Sequence, residues 1–324
     1  MTAGFAHPRA HELHPQAAEL LAAAAQSDRP NAHLLPVEEA RRNFDADHAA
    51  VGPGDPVDDV ANLSIAVDGG EVPARLYRPG SGRRPVVVYF HGGGWLLGSI
   101  ESHDAVSRAL ANASGAVVIS VGYRRGPEHR FPVAVEDCYA ATRWVVDHAD
   151  DLDVDPGRLA VAGDSAGGNL AAAVALLARE RRDPAIAFQL LVYPVTTTDL
   201  EKGFDLAYEG FFLYRDELQW HQDNYLAATE DRRSPLVSPL DRADLRGLPP
   251  AMVITAQCDP LHAQGELYAS ELADAGVEVE HRLYAGMVHG FFQLPSLFDD
   301  GRAAVEGAGA ALREAFGLEG AKRR

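Results

Sequence analysis

The stretch Gly163-Asp164-Ser165-Ala166-Gly167 decides the fold of this chain. It follows an apolar run at residues 159–162, which predicts a buried strand, and it precedes a helical pattern that begins near Gly168. A serine at a sharp turn between a strand and a helix is typical of a Gly-x-Ser-x-Gly nucleophile elbow. Side chains in place of the two outer glycines would clash across such a turn. We therefore predict that Ser165 is an exposed nucleophile at the end of a strand.

Unbroken apolar runs alternate with helical patterns on both sides of this stretch. Strands that are apolar on both faces indicate a parallel sheet covered by helices on each side. An antiparallel hairpin is expected first, with strands at 63–67 and 72–77 around Asp68-Gly69-Gly70. The predicted fold class is α/β, with about eight strands, mostly parallel, in a single domain over residues 1–324. Further strands are predicted at 86–90, 116–119, 159–162, 190–193, 252–254 and 277–284, and helices at 102–114, 133–149, 168–180, 263–275 and 302–316.

A second glycine-rich turn, His91-Gly92-Gly93-Gly94, follows the predicted strand at 86–90. Consecutive glycines let backbone N–H groups turn toward a substrate oxygen, in conformations that other residues avoid. With the N–H group of Ala166, these glycines would form an oxyanion hole. The alternative is a flexible glycine turn, which the elbow at Ser165, in the expected chain order, makes the weaker interpretation. We expect His91 to be structural.

Two residues near the carboxyl ends of later predicted strands complete a catalytic set. Asp259 follows the strand at 252–256, and His289 follows the strand that ends at Tyr284. Open α/β sheets place their sites at this edge, and the order Ser, Asp, His is the order that an α/β-hydrolase uses. We predict that His289 activates Ser165 and that Asp259 orients His289. This chemistry needs neither a cofactor nor a metal, so none is expected.

Composition limits the partners of the chain. The 324 residues carry a formal net charge of −18, which disfavours binding to nucleic acid or to anionic membranes. No apolar stretch approaches the roughly 18 residues of a membrane-spanning helix. Two cysteines are too few for a secreted disulfide scaffold. Residues 20–25 form a short apolar run that could belong to a signal peptide. No basic region precedes this run, so a signal peptide is the weaker interpretation. We therefore expect a cytoplasmic protein.

Two further segments are expected to cover the site. Residues 199–233 interrupt the alternation of strands and helices with a charged, aromatic stretch, and the first 55 or so residues contain two helical patterns. We predict that both form a helical cap, with Phe211, Phe212, Leu213 and Trp220 lining the substrate pocket. The alternative is an ordinary crossover helix whose aromatic residues face the core.

The sequence resembles the bacterial hormone-sensitive lipase family of esterases, in the subgroup whose elbow reads Gly-Asp-Ser-Ala-Gly. The resemblance extends over about residues 85–292. It is carried by His91–Gly94, Tyr123-Arg124, Pro127-Glu128-His129, Phe131-Pro132, Glu136-Asp137, Gly163–Gly167, Ser234-Pro235, Ser238-Pro239-Leu240, Asp259-Pro260-Leu261 and His289-Gly290-Phe291.

This resemblance implies an α/β-hydrolase fold that cleaves short- to medium-chain acyl esters through an acyl-enzyme, with a small-molecule ester as substrate and no cofactor. It also implies that Ser165, Asp259 and His289 form the triad, that Gly92, Gly93 and Ala166 form the oxyanion hole, and that the chain forms a homodimer. One alternative is an amidase or a deacetylase of a specific acylated metabolite. Another is a ligand-binding protein without activity, like the plant gibberellin receptor, which lacks the catalytic histidine that is present here as His289.

Overall fold

The computed structural model describes residues 7–27, 29–241 and 244–318, and an eight-stranded sheet runs through the middle of this part of the chain. Its strands occur in the order β1-β2-β4-β3-β5-β6-β7-β8. The strands are β1 (Asp59–Val67), β2 (Gly70–Arg78), β3 (Arg84–Phe90), β4 (Val117–Val121), β5 (Val154–Asp164), β6 (Phe188–Val192), β7 (Ala251–Ala256) and β8 (Val279–Tyr284).

The sheet is mostly parallel, as predicted. Only the first two strands run against their neighbours: β1 pairs antiparallel with β2, and β2 with β4. From β4 to β8 every neighbouring pair is parallel. The predicted hairpin is confirmed, and its ladder extends to a pair between Asp59 and Arg78. The fold class is therefore the predicted one.

Helices cover both faces of the sheet. They are α1 (Pro15–Ala25), α2 (Val37–Ala49), α3 (Asp104–Ser114), α4 (Val133–Asp147), α5 (Ala166–Arg181), α6 (Leu200–Gly203), α7 (Arg215–Tyr225), α8 (His262–Asp274) and α9 (Asp299–Ala315). Side chains of a strand point alternately to opposite faces, so Val86, Val88 and Phe90 of β3 join one core cluster with α4, α5 and α8. Val87 and Tyr89 join a second cluster with α3 and α9.

The segment 199–233 lies between β6 and β7 and is less regular than predicted. It contains α6, a short 3-10 helix at Leu206–Tyr208, α7 and a second 3-10 helix at Thr229–Arg233. Helix α7 begins only at Arg215, because Gly210 (φ +93°) and Phe212 (φ +66°) adopt left-handed backbone conformations that a right-handed helix cannot include. Phe211 and Phe212 therefore precede the helix instead of lying on one of its faces.

None of the helices in the described part of the chain is both long and apolar enough to span a bilayer. The predicted cap begins at residue 1, and its first six residues lie outside the described part of the chain. From His7 onward, the amino-terminal segment forms α1, α2 and two 3-10 turns before β1.

Candidate active site

The loops that follow β3, β5, β7 and β8 meet at one edge of the sheet. These strands are parallel and lie close together in the order β3-β5-β6-β7-β8, so their carboxyl ends share this edge. Ser165 directly follows β5, while His91, Asp259 and His289 lie in the loops after β3, β7 and β8. The topology thus brings together residues that are up to 198 positions apart in the sequence, from His91 to His289.

Ser165 occupies a strained turn between β5 and α5. Its backbone angles are φ +55° and ψ −118°, outside the regions that non-glycine residues prefer. A side chain at Gly163 would overlap the backbone of Gly167, and one at Gly167 would overlap the carbonyl of Phe90. The two glycines are therefore required by close backbone contacts, and the turn projects Ser165 from the edge of the sheet, as an elbow does.

Three side chains at this edge form a continuous hydrogen-bonded chain. The Nε2 atom of His289 lies 2.8 Å from Oγ of Ser165, and its Nδ1 atom lies 2.7 Å from Oδ2 of Asp259. The other oxygen of Asp259 accepts a hydrogen bond of 2.8 Å from the N–H of Leu261. Asp259 is fully buried, while the side chain of His289 is 11% exposed. A histidine placed between a carboxylate and a serine hydroxyl can accept the proton of the hydroxyl.

The glycine loop after β3 differs from the predicted arrangement at Gly92. Its N–H group points to Oδ1 of Asp164 (3.1 Å) and Nε2 of His103 (3.2 Å), so it is already bound inside the protein. Gly92 therefore has no free N–H group for the predicted role of oxyanion donor. Gly93 (φ +107°) and Gly94 (φ +60°) both line the cavity, and no acceptor within residues 7–27, 29–241 or 244–318 binds their N–H groups.

Asp164 supports this loop from behind, a role that sequence analysis missed. Its carboxylate is fully buried and accepts hydrogen bonds from the Tyr89 hydroxyl (2.8 Å) and from Gly92. Burial opposes its ionisation, but the nearby imidazole of His103 and the hydrogen bonds outweigh burial and lower the pKa of Asp164. The residue before the nucleophile is thus a charged anchor for the glycine loop, although the elbow motif assigns it no role.

His91 is part of the same support. Its ring stacks on Tyr123 with a centroid separation of 4.2 Å, and its Nδ1 atom lies 2.8 Å from the carbonyl of Gly92. The Tyr123 hydroxyl donates to the carbonyl of His91 at 2.9 Å. Complete burial, assisted by the nearby His103, lowers the pKa of His91 to about 3, so it is neutral at physiological pH. These contacts favour the structural role that we expected.

A cavity of about 820 Å³ opens directly above Ser165 and His289. Residues of α1, α2 and the segment 199–233 contribute to its lining, so both segments of the predicted cap border it. Phe212 and Leu213 line the cavity, as expected. The lining that the described residues provide does not include Phe211 or Trp220.

Phe211 and Trp220 pack elsewhere, so their predicted role in substrate binding does not fit their positions. Phe211 is fully buried in the core, 4.2 Å from the ring of His7 and 6.0 Å from that of Tyr208. Trp220 is partly buried against the core cluster that includes α4 and α5. The core-facing alternative therefore fits these two aromatic residues, whereas Phe212 fits the pocket.

Two ionisable residues of α7, Glu217 and His221, also line the cavity. They lie one helical turn apart, and Oε1 of Glu217 is 3.9 Å from Nε2 of His221. Neither residue was predicted from the sequence, although a Glu–His pair at positions i and i+4 in an otherwise aromatic stretch was a readable signal. Within the described ranges, no group of three or more His, Cys, Asp and Glu side chains is arranged to hold a metal ion.

Comparison with known proteins agrees with this geometry. A family model described as the alpha/beta hydrolase fold matches residues 87–293, more than half of the chain. Carboxylic ester hydrolase LipN from Mycobacterium tuberculosis is 42% identical over 263 residues, which cover 79% of this chain and 70% of that protein. The chain belongs to the hormone-sensitive lipase family of α/β-hydrolases. Ethyl acetate hydrolase from Pseudomonas putida is 39% identical over 276 residues, which cover 83% of this chain and 87% of that protein.

Solved structures of esterases match the same fold over nearly the whole chain. The esterase of Pyrobaculum calidifontis superposes with a TM-score of 0.86 at 41% identity, covering 93% of this chain and 98% of that chain. A thermostable esterase from Pseudomonas putida superposes with a TM-score of 0.90 at 36% identity, covering 97% of this chain and all of the other.

Proposed function

We propose that this hydrolase cleaves short- to medium-chain carboxylic esters and that Ser165, His289 and Asp259 are its catalytic triad. The single observation that carries the proposal is the 2.8 Å distance between Nε2 of His289 and Oγ of Ser165, at the floor of the cavity. Relatives named carboxylic ester hydrolase, ethyl acetate hydrolase and arylesterase support the same reaction class.

In the first half of the proposed reaction, Oγ of Ser165 attacks the carbonyl carbon of the ester. His289 removes the hydroxyl proton as the new C–O bond forms, and Asp259 stabilises the resulting imidazolium. This attack gives a tetrahedral intermediate. It collapses when the bond between the former carbonyl carbon and the alcohol oxygen breaks, and His289 returns the proton to that oxygen. The alcohol leaves, and the acyl group stays on Ser165.

In the second half, water attacks the acyl-enzyme. His289 takes a proton from the water and then gives it to Oγ of Ser165, which leaves as the carboxylic acid is released. Each half of the reaction passes through a tetrahedral intermediate, which carries a negative charge on the former carbonyl oxygen of the ester. We propose that the N–H groups of Gly93, Gly94 and Ala166 bind this oxygen. Ala166 begins α5, where the backbone N–H groups have no partner within the helix.

The cavity supports the proposed substrate class. Leu20, Leu21, Phe212, Leu213 and other apolar side chains line it, so an acyl chain gains free energy by leaving water. We propose that residues 1–55 and 199–233 act as the cap of this single domain, because residues of both segments border the cavity. We propose that the finite volume of this cavity, about 820 Å³, favours short and medium chains over long ones.

We also propose that the enzyme is cytoplasmic and that it forms a homodimer. Two buried, unpaired cysteines, Cys138 and Cys258, support the reducing compartment. Strand β8 ends the described sheet, so one edge of it is open to pairing with a second copy. Light scattering of the purified protein distinguishes a dimer from a monomer.

Replacement of Ser165 by alanine tests the proposed function. Hydrolysis of 4-nitrophenyl butyrate should fall by about 10⁶-fold in kcat, because no other group supplies the attacking oxygen. The thermal unfolding midpoint serves as the control for folding and should stay close to that of wild type. A variant that keeps a tenth of the wild-type turnover would contradict the assignment. Matched amide substrates show whether the enzyme is instead an amidase, which would cleave them at comparable rates.

A further inference from the structure

Glu217 is a carboxyl group in the cavity to which no described residue donates a hydrogen bond. It lies in the first turn of α7, and its side chain is 14% exposed where it borders the cavity. Across the described residues, no N–H or O–H group donates a hydrogen bond to it, and neither arginine nor lysine pairs with it. The 3.9 Å separation from His221 is too long for a hydrogen bond.

The pKa of this carboxyl group is unusual. Burial raises the pKa of Glu217 to about 7, and the nearby His289 partly opposes the effect. Buried carboxylates in proteins are normally paired or hydrogen-bonded. Burial without a partner costs about 2–7 kcal/mol even for a neutral polar group and more for a charged one, so an unpaired carboxyl group tends to stay protonated. A positive charge placed beside Glu217 would therefore favour its ionised form and would itself be stabilised.

His221 does not supply that charge. Burial, with smaller contributions from His33 and His289, lowers the pKa of His221 to about 3, so its ring is neutral at physiological pH. The ring also packs against Gly94, where an added Cβ atom would overlap it. The position of His221 is thus fixed by the glycine loop, and it leaves Glu217 without a counter-ion.

The other charged groups of the cavity are already engaged. Arg29 binds both oxygens of Asp47, at 2.6 and 2.8 Å. Asp164 is held by Tyr89 and Gly92. Glu217 is therefore the cavity carboxyl, within the described part of the chain, that is left without a hydrogen-bonded or charged partner. The net charge of −18 also favours a cationic ligand, since a strongly negative protein raises the local concentration of cations.

We propose that Glu217 binds the ammonium group of a cationic substrate, so that the preferred esters carry a positive charge on the acyl or the alcohol part. The inference rests on the proposed ester hydrolysis and deepens it. Ester cleavage at Ser165 needs no such charge, and Glu217 adds selectivity by forming a partly desolvated ion pair in the complex.

Two matched pairs of substrates test this inference. Acetylcholine and 3,3-dimethylbutyl acetate have the same shape in the alcohol part and differ only by nitrogen in place of carbon. The 4-nitrophenyl esters of 6-(trimethylammonio)hexanoic acid and 7,7-dimethyloctanoic acid differ in the same way in the acyl part. The measured quantity is the ratio of kcat/KM for the cationic ester to kcat/KM for the neutral one.

For at least one pair, the wild-type ratio should exceed that of Glu217→Gln by about tenfold or more, in keeping with the loss of a desolvated ion pair. Glu217→Met is a second variant that removes the same charge, should the first one fold poorly. Asp216→Asn is the matched control, since it removes an exposed charge from the neighbouring position of α7 and should keep the wild-type ratio.

Equal ratios in wild type and in both Glu217 variants, for both pairs, would overturn the inference. Hydrolysis of the neutral esters separates the two proposals, because it depends on the proposed triad and not on the charge of Glu217. If wild type cleaves neutral esters and the ratios are equal, only the role of Glu217 fails. If wild type cleaves neither neutral ester, the proposed function itself fails.

Discussion

The floor of the cavity and its roof are built differently. The floor consists of residues 91–94, residues 163–167, Asp259 and His289; the roof consists of α1, α2 and residues 199–233. In the floor, buried polar groups such as Asp164 and Asp259 have several partners within hydrogen-bond distance. The roof mixes short helices with irregular turns and leaves Glu217 without a donor among the described residues. This difference supports our proposal that the floor carries out the chemistry and that the roof selects the substrate.

After Ser165 itself, the largest effect should come from Asp259, which also lies in the floor. Asp259→Asn keeps the size of the side chain but removes the charge that orients and stabilises His289. We expect kcat to fall by about 10⁴-fold, the loss typical of the corresponding change in a serine protease triad. Steady-state kinetics with 4-nitrophenyl butyrate measure this loss, and Asp274→Asn, an exposed change in α8, is the control.

Asp164 should affect stability as well as activity. Asp164→Asn weakens the buried hydrogen bonds to Tyr89 and Gly92, which should cost about 1–3 kcal/mol in the free energy of unfolding. It should also lower kcat, although less than Asp259→Asn does, because the glycine loop loses support without losing a reacting group. Urea unfolding and the same kinetic assay measure the two effects.

The pH dependence of this stability has a definite sign. The pKa of Asp164 in the folded protein lies below its ordinary value of about 3.9. Its contribution is therefore fully present above that pH and is lost as the pH falls through the lower pKa of the folded state. The gap in unfolding free energy between wild type and Asp164→Asn should narrow in acid. A gap that widens below pH 4 would contradict this account of Asp164.

Phe211 tests whether the roof is partly core. Phe211→Ala removes a fully buried ring and should lower the free energy of unfolding by about 3–5 kcal/mol. Phe212→Ala, the adjacent change, should cost clearly less because Phe212 faces the cavity. Thermal and urea unfolding of the two variants make the comparison. Equal losses of stability would remove the distinction between a core side and a cavity side of this segment.

The smallest effect concerns acyl-chain length. Phe212→Ala enlarges the cavity, so the optimum of kcat/KM should move to longer acyl chains. For the longer esters, kcat/KM of the variant should rise by up to about fourfold for each additional methylene group, because burial of one methylene contributes about 0.8 kcal/mol. A series of 4-nitrophenyl esters from acetate to decanoate measures the profile, and Leu206→Ala, an exposed position in the same segment, is the control. Coincident profiles for wild type and Phe212→Ala would show that the roof does not limit the acyl chain.

The sequence predicted that Ser165, Asp259 and His289 lie together, and the structure places their side chains within hydrogen-bond distance of one another in sequence. The turn at Ser165 was readable because its geometry depends on local backbone requirements. Ser165 needs glycines around it, and their positions are visible in the sequence. Two details of the floor were not visible: the N–H of Gly92 points to Asp164, and Gly94 lines the cavity instead. Both depend on which way the loop turns, and this is set by its partners Asp164 and His103, which lie in other segments of the chain.

The roof was predicted less well because aromatic spacing does not reveal which side of a segment faces a cavity. Phe211 and Phe212 are neighbours, yet one lies in the core and the other lines the cavity. Because Phe212 has a positive φ, its side chain points in a different direction from that of Phe211. Such a backbone angle cannot be predicted from the pattern of side chains. The sheet and its strand pattern were predicted because continuous apolar runs record burial on both faces.

Covalent labelling with diethyl 4-nitrophenyl phosphate tests the central claim, a nucleophilic Ser165 activated by His289, most directly. Intact-mass analysis should show one diethylphosphoryl group per chain, in step with the loss of esterase activity, and peptide mapping should place it on Ser165. Ser165→Ala should take up no label, and His289→Ala should react far more slowly, because its serine has lost the base 2.8 Å away. Label on another residue, or complete loss of activity without label on Ser165, would contradict the account.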